Sequence, residues 1–244
     1  MKIVGITRVR NEENIILNTL NHVSDFVDEI YVYDDCSTDR TVDICKSHKK
    51  VKKVVEGKIW GKTSIQRRAA EGELRDIIYR EALSSNPDYI YYFDADEYVY
   101  PENLDFKFDT YSFRLYDFYI TNEDVDKGYM EREFMGPEYR DIIMMFRPNN
   151  NVMFKDRQPV GVSKNIGFGG YVKHYGKSIS VEEWESTCDY YINIFGGHYR
   201  NRWMPRKGKS IHTMSSFGHD FIKWEDRHSS GIRLTKDIEK KSIY

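Results

Sequence analysis

The 244-residue sequence predicts an α/β fold, a mainly parallel sheet flanked by helices, and three observations carry that expectation. Short β-branched or aromatic runs alternate with longer helical patterns through residues 1–100, the pattern of βαβ units. Clusters of acids and arginines fall just after those runs, where a parallel sheet leaves its ligand crevice. Beyond Pro101 the alternation loosens into stretches that read as antiparallel additions to the sheet in the C-terminal half.

The first strand is Lys2–Thr7. Ile16, Leu20 and Val23 then recur at helical spacing, with Asn11 ahead of Glu12 and Glu13 as a start signal. A second strand, Glu29–Asp34, leads to a helix expected to begin near Thr38-Asp39. The third strand is Lys52–Glu56, and Leu74, Ile77, Ile78 and Ala82 mark the helix after it. Asn86-Pro87-Asp88 stops that helix before the fourth strand, Tyr89–Asp94. Later, Tyr111–Tyr119 and Ile142–Phe146 alternate as antiparallel strands do. Asn149-Asn150-Asn151 marks a turn, and Gly167-Phe168-Gly169-Gly170 reads as a flexible loop before His174. With no repeat, low-complexity tract or linker, one continuous domain is expected.

Composition narrows the function classes. Hydrophobic residues are 40% and charged residues 31%, the balance of a globular chain. Lysine and arginine total 37 against 39 acids, so the formal net charge is -2 and no global field draws in nucleic acid. The apolar stretch Lys2–Thr7 is too short for a signal segment, and nothing approaches the ~18 apolar residues of a membrane span. A cytoplasmic location is expected. Cys36, Cys45 and Cys188 lack metal-ligand spacing and read as free thiols. The 19 tyrosines favour sheet packing over a sugar-stacking wall.

Chemistry concentrates where the fourth strand runs out. Asp94 and Asp96 stand two apart at a strand end, so two hard oxygen ligands face a crevice. Mg²⁺ and Mn²⁺ take such ligands and fill the remaining positions with water and substrate phosphates. His174, between Lys173 and Tyr175, offers an imidazole acceptable to Mn²⁺. Arg200, Arg202, Arg206, Lys207 and Lys209, with Trp203 and Met204 among them, read as a solvated basic loop, a lid over a diphosphate, or a peripheral contact with an anionic membrane or acceptor.

The sequence resembles glycosyltransferase family 2 and the wider GT-A fold. Four features carry this in order: Arg10-Asn11-Glu12-Glu13, Asp34-Asp35-Cys36-Ser37-Thr38-Asp39, Arg75 seven residues before Ala82, and Asp94-Ala95-Asp96-Glu97. The likeness is close over about residues 1–100 and thins afterwards to His174-Tyr175-Gly176. It implies a GT-A, Rossmann-like sheet with a nucleotide-sugar-binding half at 1–100 and, at 101–244, an acceptor-binding half with a C-terminal extension. Thr7, Arg8 and Glu12 would then line the base and ribose pocket, and Asp35 would accept the base N–H. Asp94 would face the ribose or donor sugar, Asp96 and a late His174 would ligate the metal, and Arg75 and Lys173 would contact the sugar or diphosphate. Asp76 stands where the family usually has asparagine.

The resemblance implies transfer of a sugar from a nucleoside diphosphate donor, with uridine favoured, to a glycan or lipid-linked glycan hydroxyl. Metal and basic side chains would stabilise the leaving diphosphate, and a carboxylate would deprotonate the acceptor in one inverting displacement. Asp156, Glu138 and Asp141 are the candidates for that base, with Asp156 placed first. A nucleotidyltransferase is the rival enzyme, but its triphosphate needs an early glycine-rich loop, and Thr7 to Glu13 holds no glycine. A non-catalytic module that binds a nucleotide sugar or glycan is the other alternative.

Overall fold

A computed structural model describes residues 1–61, 63–102, 104–194 and 197–235. The strands are β1 (Ile3–Val9), β2 (Glu29–Asp34), β3 (Val51–Glu56), β4 (Tyr89–Tyr92), β5 (Glu97–Pro101), β6 (Thr110–Phe118), β7 (Phe134–Phe146), β8 (Met153–Lys155), β9 (Gln158–Val160), β10 (Ile166–His174), β11 (Ile222–Lys223) and β12 (Ile232–Arg233). The α-helices are α1 (Ile16–Val23), α2 (Thr41–Ser47), α3 (Ser64–Leu83), α4 (Val181–Ile194), α5 (Gly197–Trp203) and α6 (Arg227–Ser230).

The expected βαβ layout is present. β1, β2, β3 and β4 alternate with α1, α2 and α3, and β1 pairs in parallel with both β2 and β4 while β2 pairs in parallel with β3. The strand order is β3-β2-β1-β4-β7-β6-β10-β5, a mixed sheet. β7 joins antiparallel to β4, with Ile90 opposite Phe146.

Local chemistry explains the helices. In α1, Ile16, Leu20 and Val23 are buried, with Thr19 between them, the spacing of one helix face. α3 opens on a reciprocal capping box, the Thr63 side chain accepting from Gln66 N–H and the Gln66 side chain from Thr63 N–H. Its inner face is Gly72, Arg75, Ile78, Tyr79 and Ala82, whereas Ile77 faces outward. α2 begins at Thr41, a little after the expected Thr38-Asp39, because Asp39 first closes a turn by accepting Thr41 N–H at 3.0 Å.

Two compact units partition the chain. One comprises Met1–Phe113 and Ile142–Tyr171; the other comprises Arg114–Asp141 and the chain from Val172 onward. The first has a core that includes Val4, Ile6, Tyr33, Ile78, Tyr79, Ile90, Tyr92 and Phe154. Tyr89, Tyr91 and Tyr92 are all fully buried, in keeping with the sheet-packing reading of the tyrosines. In the second, Trp184, Cys188 and Ile192 pack with Trp203, and β11 and β12 pair with Phe134–Met135 and Glu138–Tyr139 of β7.

Two further expectations are corrected. Asn11 does not start α1, which begins at Ile16, and Asn11 itself stands in the left-handed region at φ 52°. Gly167-Phe168-Gly169-Gly170 is not a loop but the first half of β10. The glycines serve close packing: a Cβ at Gly167 would fall 2.3 Å from the Phe108 ring, and one at Gly169 would fall 2.4 Å from the Phe113 ring. All three cysteines are free. No helix among the described residues is long and apolar enough to cross a membrane.

A candidate donor site at the carboxyl edge of the parallel strands

Because β1, β2 and β4 are parallel neighbours, the residues at their carboxyl ends lie along one sheet edge. Arg8 sits near the end of β1, Asp35 directly follows β2, and Asp94 follows β4 by two residues. α3 runs beside them and contributes Glu71 and Arg75, one helical turn apart.

The side chains form one alternating chain of charge. Arg8 pairs with Asp35 through a short contact and with Glu71 at 2.9 Å. The other Glu71 oxygen lies 2.6 Å from Arg75 Nη1, and Arg75 Nη2 lies 3.2 Å from Asp94 Oδ1. Tyr92 adds two bonds, accepting from Arg75 Nε at 2.8 Å and donating to Asp94 Oδ1 at 2.7 Å. Arg157 then reaches Asp94 Oδ2 at 3.3 Å and makes a short contact with Glu97.

Burial by itself would raise the Asp94 carboxyl, but the charges of Arg157 and then Arg75, with the Tyr92 hydroxyl, hold it well below the usual carboxylate range. Asp94 is therefore ionised. Burial, and then the Asp94 charge, pushes the Tyr92 phenol up, so its proton stays in place to donate.

The acidic turn itself is braced. Thr19 Oγ1 donates to Ala95 O from α1, Asp94 N–H donates to Glu97 Oε2 at 3.1 Å, and Glu97 N–H returns to Asp94 O at 3.2 Å. Glu97 is fully buried and has a structural share in the motif. Asp94 pairs with two guanidinium groups, and Asp96, two residues on, is a half-buried carboxylate of the hard-oxygen type that suits a divalent cation. Among the described residues no group of three or more His, Cys, Asp and Glu side chains gathers in metal-binding geometry. One carboxylate plus substrate phosphates is nevertheless an ordinary Mg²⁺ arrangement, so the residues fit that mode.

Thr7 and Glu12, expected on the base side, and their neighbour Arg10 have defined positions. Thr7 is buried within β1, and its Oγ1 has no hydrogen-bond partner among the described residues. Glu12 N–H donates to Thr41 Oγ1 at 2.7 Å, tying the loop after β1 to α2. Arg10 donates to the carbonyls of Asp35 and Cys36 at 2.7 and 2.6 Å and lies 3.5 Å over the Trp60 ring.

The remaining expected residues are dispersed. His174, Lys173, Glu138 and Asp141 lie in the second compact unit, while Asp156 is in the first. His174 Nδ1 lies 2.6 Å from Asp117, which also holds Lys177 at 2.7 Å and Arg140 at 2.9 Å. Lys173 sits over the Phe118 and Trp224 rings at 5.2 and 4.9 Å, where burial pulls its ammonium down from the ordinary lysine range. Buried Glu138 accepts Ser215 Oγ at 2.6 Å and faces His219 Nδ1 at 2.5 Å. Asp141 pairs with Arg114 and Arg233, both at 3.3 Å. Asp156 is exposed in a left-handed turn with φ 55°.

In the basic run, Arg206 is buried with its guanidinium 4.6 Å from the Trp203 ring, and Lys207 pairs with Asp189. Arg200, Arg202 and Lys209 are exposed.

Glu71, Arg157, Asp117 and His219 escaped the reading of the sequence. Glu71 had a usable signal, since it stands four residues before Arg75 on the same helix face. The others meet partners far away in sequence.

The acid-and-arginine cluster lies within the part of the chain that resembles a known family: residues 6–105 match the model for Glycosyl transferase family 2. A stretch of 102 residues is 33% identical to Rv3786c of Mycobacterium tuberculosis, and equally to Mb3815c of Mycobacterium bovis, covering 39% of this chain and 23% of each relative. The chain thus spans less than a quarter of the length of those curated relatives. Among solved structures, glucosyl-3-phosphoglycerate synthase from Mycobacterium tuberculosis in complex with phosphoglyceric acid is similar at 20% identity and a TM-score of 0.31, over 48% of this chain and 44% of that one. HddC from Yersinia pseudotuberculosis is similar at 11% identity and a TM-score of 0.38, over 78% of this chain and 99% of that one.

Proposed function

We propose that the protein is a metal-dependent glycosyltransferase that moves a sugar from a nucleoside diphosphate donor, with uridine the favoured base, to a glycan or lipid-linked glycan hydroxyl. The observation that carries this reading is the unbroken alternation of Asp35, Arg8, Glu71, Arg75, Asp94, Arg157 and Glu97 along the edge where parallel α/β sheets take their ligands. The family 2 match over residues 6–105 supports it.

In this reading Thr7, Arg8 and Glu12 line the base and ribose pocket and Asp35 accepts the base N–H. Asp94, kept ionised and oriented by Arg75 and Tyr92, accepts sugar or ribose hydroxyls. Arg75 and Lys173 contribute positive charge on the donor side. The proposed metal ligands are Asp96 and His174, and a bound Mn²⁺ or Mg²⁺ would supply charge that stabilises the leaving diphosphate.

Among the three candidates for the base, Asp156 is favoured. Glu138 and Asp141 are engaged by His219 and by two arginines respectively, whereas Asp156 is exposed beside Arg157, which touches Asp94. Asp156 takes the acceptor hydroxyl proton as the acceptor oxygen bonds to the anomeric carbon. The bond from that carbon to the diphosphate oxygen breaks, and the nucleoside diphosphate leaves with the electron pair. This single displacement inverts the anomeric centre. Arg200, Arg202 and Lys209 are the exposed cations proposed for an anionic acceptor or peripheral membrane contact.

The deciding experiment is a panel of UDP-, GDP- and dTDP-sugars, with and without Mn²⁺, read by thermal shift and by release of free nucleoside diphosphate with glycan acceptors. One donor is expected to stabilise the protein only with metal and to be consumed. Stabilisation without any turnover would favour a non-catalytic binding module; no response to any donor would remove the reading.

A further inference from the structure

We propose that Arg157 is a binding residue for the donor's diphosphate, delivered to the site by the β8–β9 hairpin and held there by buried Glu97; this assignment rests on the donor-site reading above. The hairpin is short. Lys155 pairs with Gln158, so Asp156 and Arg157 form a two-residue turn, and the left-handed φ of 55° at Asp156 closes it.

α3 grips the segment leading into this turn along its whole length. Tyr79 OH donates to Asn149 O at 2.9 Å and accepts from Asn149 N–H at 3.1 Å. Arg80 donates to Val152 O at 2.8 Å, and Asp76 accepts Phe154 N–H at 2.7 Å. At Gly72 the two backbones approach so closely that a Cβ would lie 2.3 Å from Phe154 O. Four positions on one helix face therefore set where the turn projects, and it projects onto Asp94 and Glu97.

Arg157 is only partly committed there. Its ion pairs to Asp94 and Glu97 both use Nη2, and its side chain remains 31% exposed. An arginine that spent its whole fork on these two acids would engage them bidentately; here one nitrogen serves both, beside an Asp94 side chain that is 22% exposed. Glu97 anchors it from beneath and is itself locked to the Asp94 backbone. Asp94, Asp96 and Glu97 place three carboxylates within four residues, so an incoming diphosphate meets repulsion at this corner. A guanidinium that offers planar N–H donors beside Asp94 offsets it and suits phosphate oxygens.

The test measures binding of UDP, GDP and dTDP with Mn²⁺, and of the corresponding nucleosides, by calorimetry to wild type, Arg157→Gln, Arg157→Lys and the double variant Arg157→Gln/Glu97→Gln. The double variant replaces the ion pair with a neutral pair, and a wild-type-like circular dichroism spectrum certifies its fold. The diphosphate that binds wild type is expected to bind about 10- to 100-fold more weakly to Arg157→Gln and to the double variant. Nucleoside affinity should stay within about twofold, with partial recovery in Arg157→Lys. Unchanged diphosphate affinity, or equal weakening of nucleoside and diphosphate, overturns the assignment and leaves the donor site standing. Failure of wild type to bind any of the three diphosphates removes the donor-site reading itself, and this assignment with it.

Discussion

The carboxylate of Asp76 accepts the backbone N–H of Phe154 at 2.7 Å, fastening the middle of α3 to strand β8. That contact gives the Asp76 side chain a physical role, since the bond needs a side-chain oxygen that accepts.

Replacing Asp76 with Asn should accordingly change little, because the amide oxygen can still accept. Asp76→Ala leaves Phe154 N–H without its partner and should cost about 1–2 kcal/mol, read as a lowered urea midpoint. Equal stability of the Asn and Ala variants would contradict this role.

Asp96→Ala is expected to abolish both turnover and metal-dependent donor binding, because it removes a proposed direct ligand of the metal. Calorimetry of Mn²⁺ with the donor gives the measurement. Retained metal-dependent binding would move the ligand role away from Asp96.

His174→Ala should weaken the Mn²⁺ dependence of activity. The Nδ1 contact with Asp117 at 2.6 Å orients the ring as carboxylates do for metal-binding histidines, so Asp117→Asn should give a smaller shift in the same direction. An unaltered metal titration in both variants would restrict His174 to its pairing within that buried cluster.

Stability should fall between roughly neutral and mildly acidic pH through His212. Burial, reinforced by the Lys177 charge, lowers this imidazole from 6.5 to about 4. Above its unfolded value both states are neutral and the group contributes nothing. Below it the unfolded chain takes up a proton that the fold refuses, so stability declines down to about pH 4. The full loss is on the order of 3 kcal/mol, and His212→Gln should flatten that part of a plot of unfolding free energy against pH. The Asp94 carboxylate acts in the opposite window: its stabilisation is intact above the ordinary carboxylate range and disappears only under more strongly acidic conditions.

The sequence by itself determined the βαβ half and placed Arg8, Asp35 and Asp94 at its strand ends, whereas Arg75 was marked only by resemblance. Helical and strand periodicities are local properties, and a parallel sheet necessarily brings its strand ends to one edge. The tertiary structure alone decided what those groups touch. Arg157 lies 63 residues beyond Asp94 in the numbering, and only the grip of α3 on β8 brings it there. The glycines of 167–170 looked like a loop because their reason, contact with the Phe108 and Phe113 rings, is invisible without the packing. Glu97 read as one more acid at a strand end, yet it is fully buried, paired with Arg157 and turned inward at the start of β5. Charge type and spacing are written along the chain, whereas the partner that satisfies a buried charge is chosen by long-range packing.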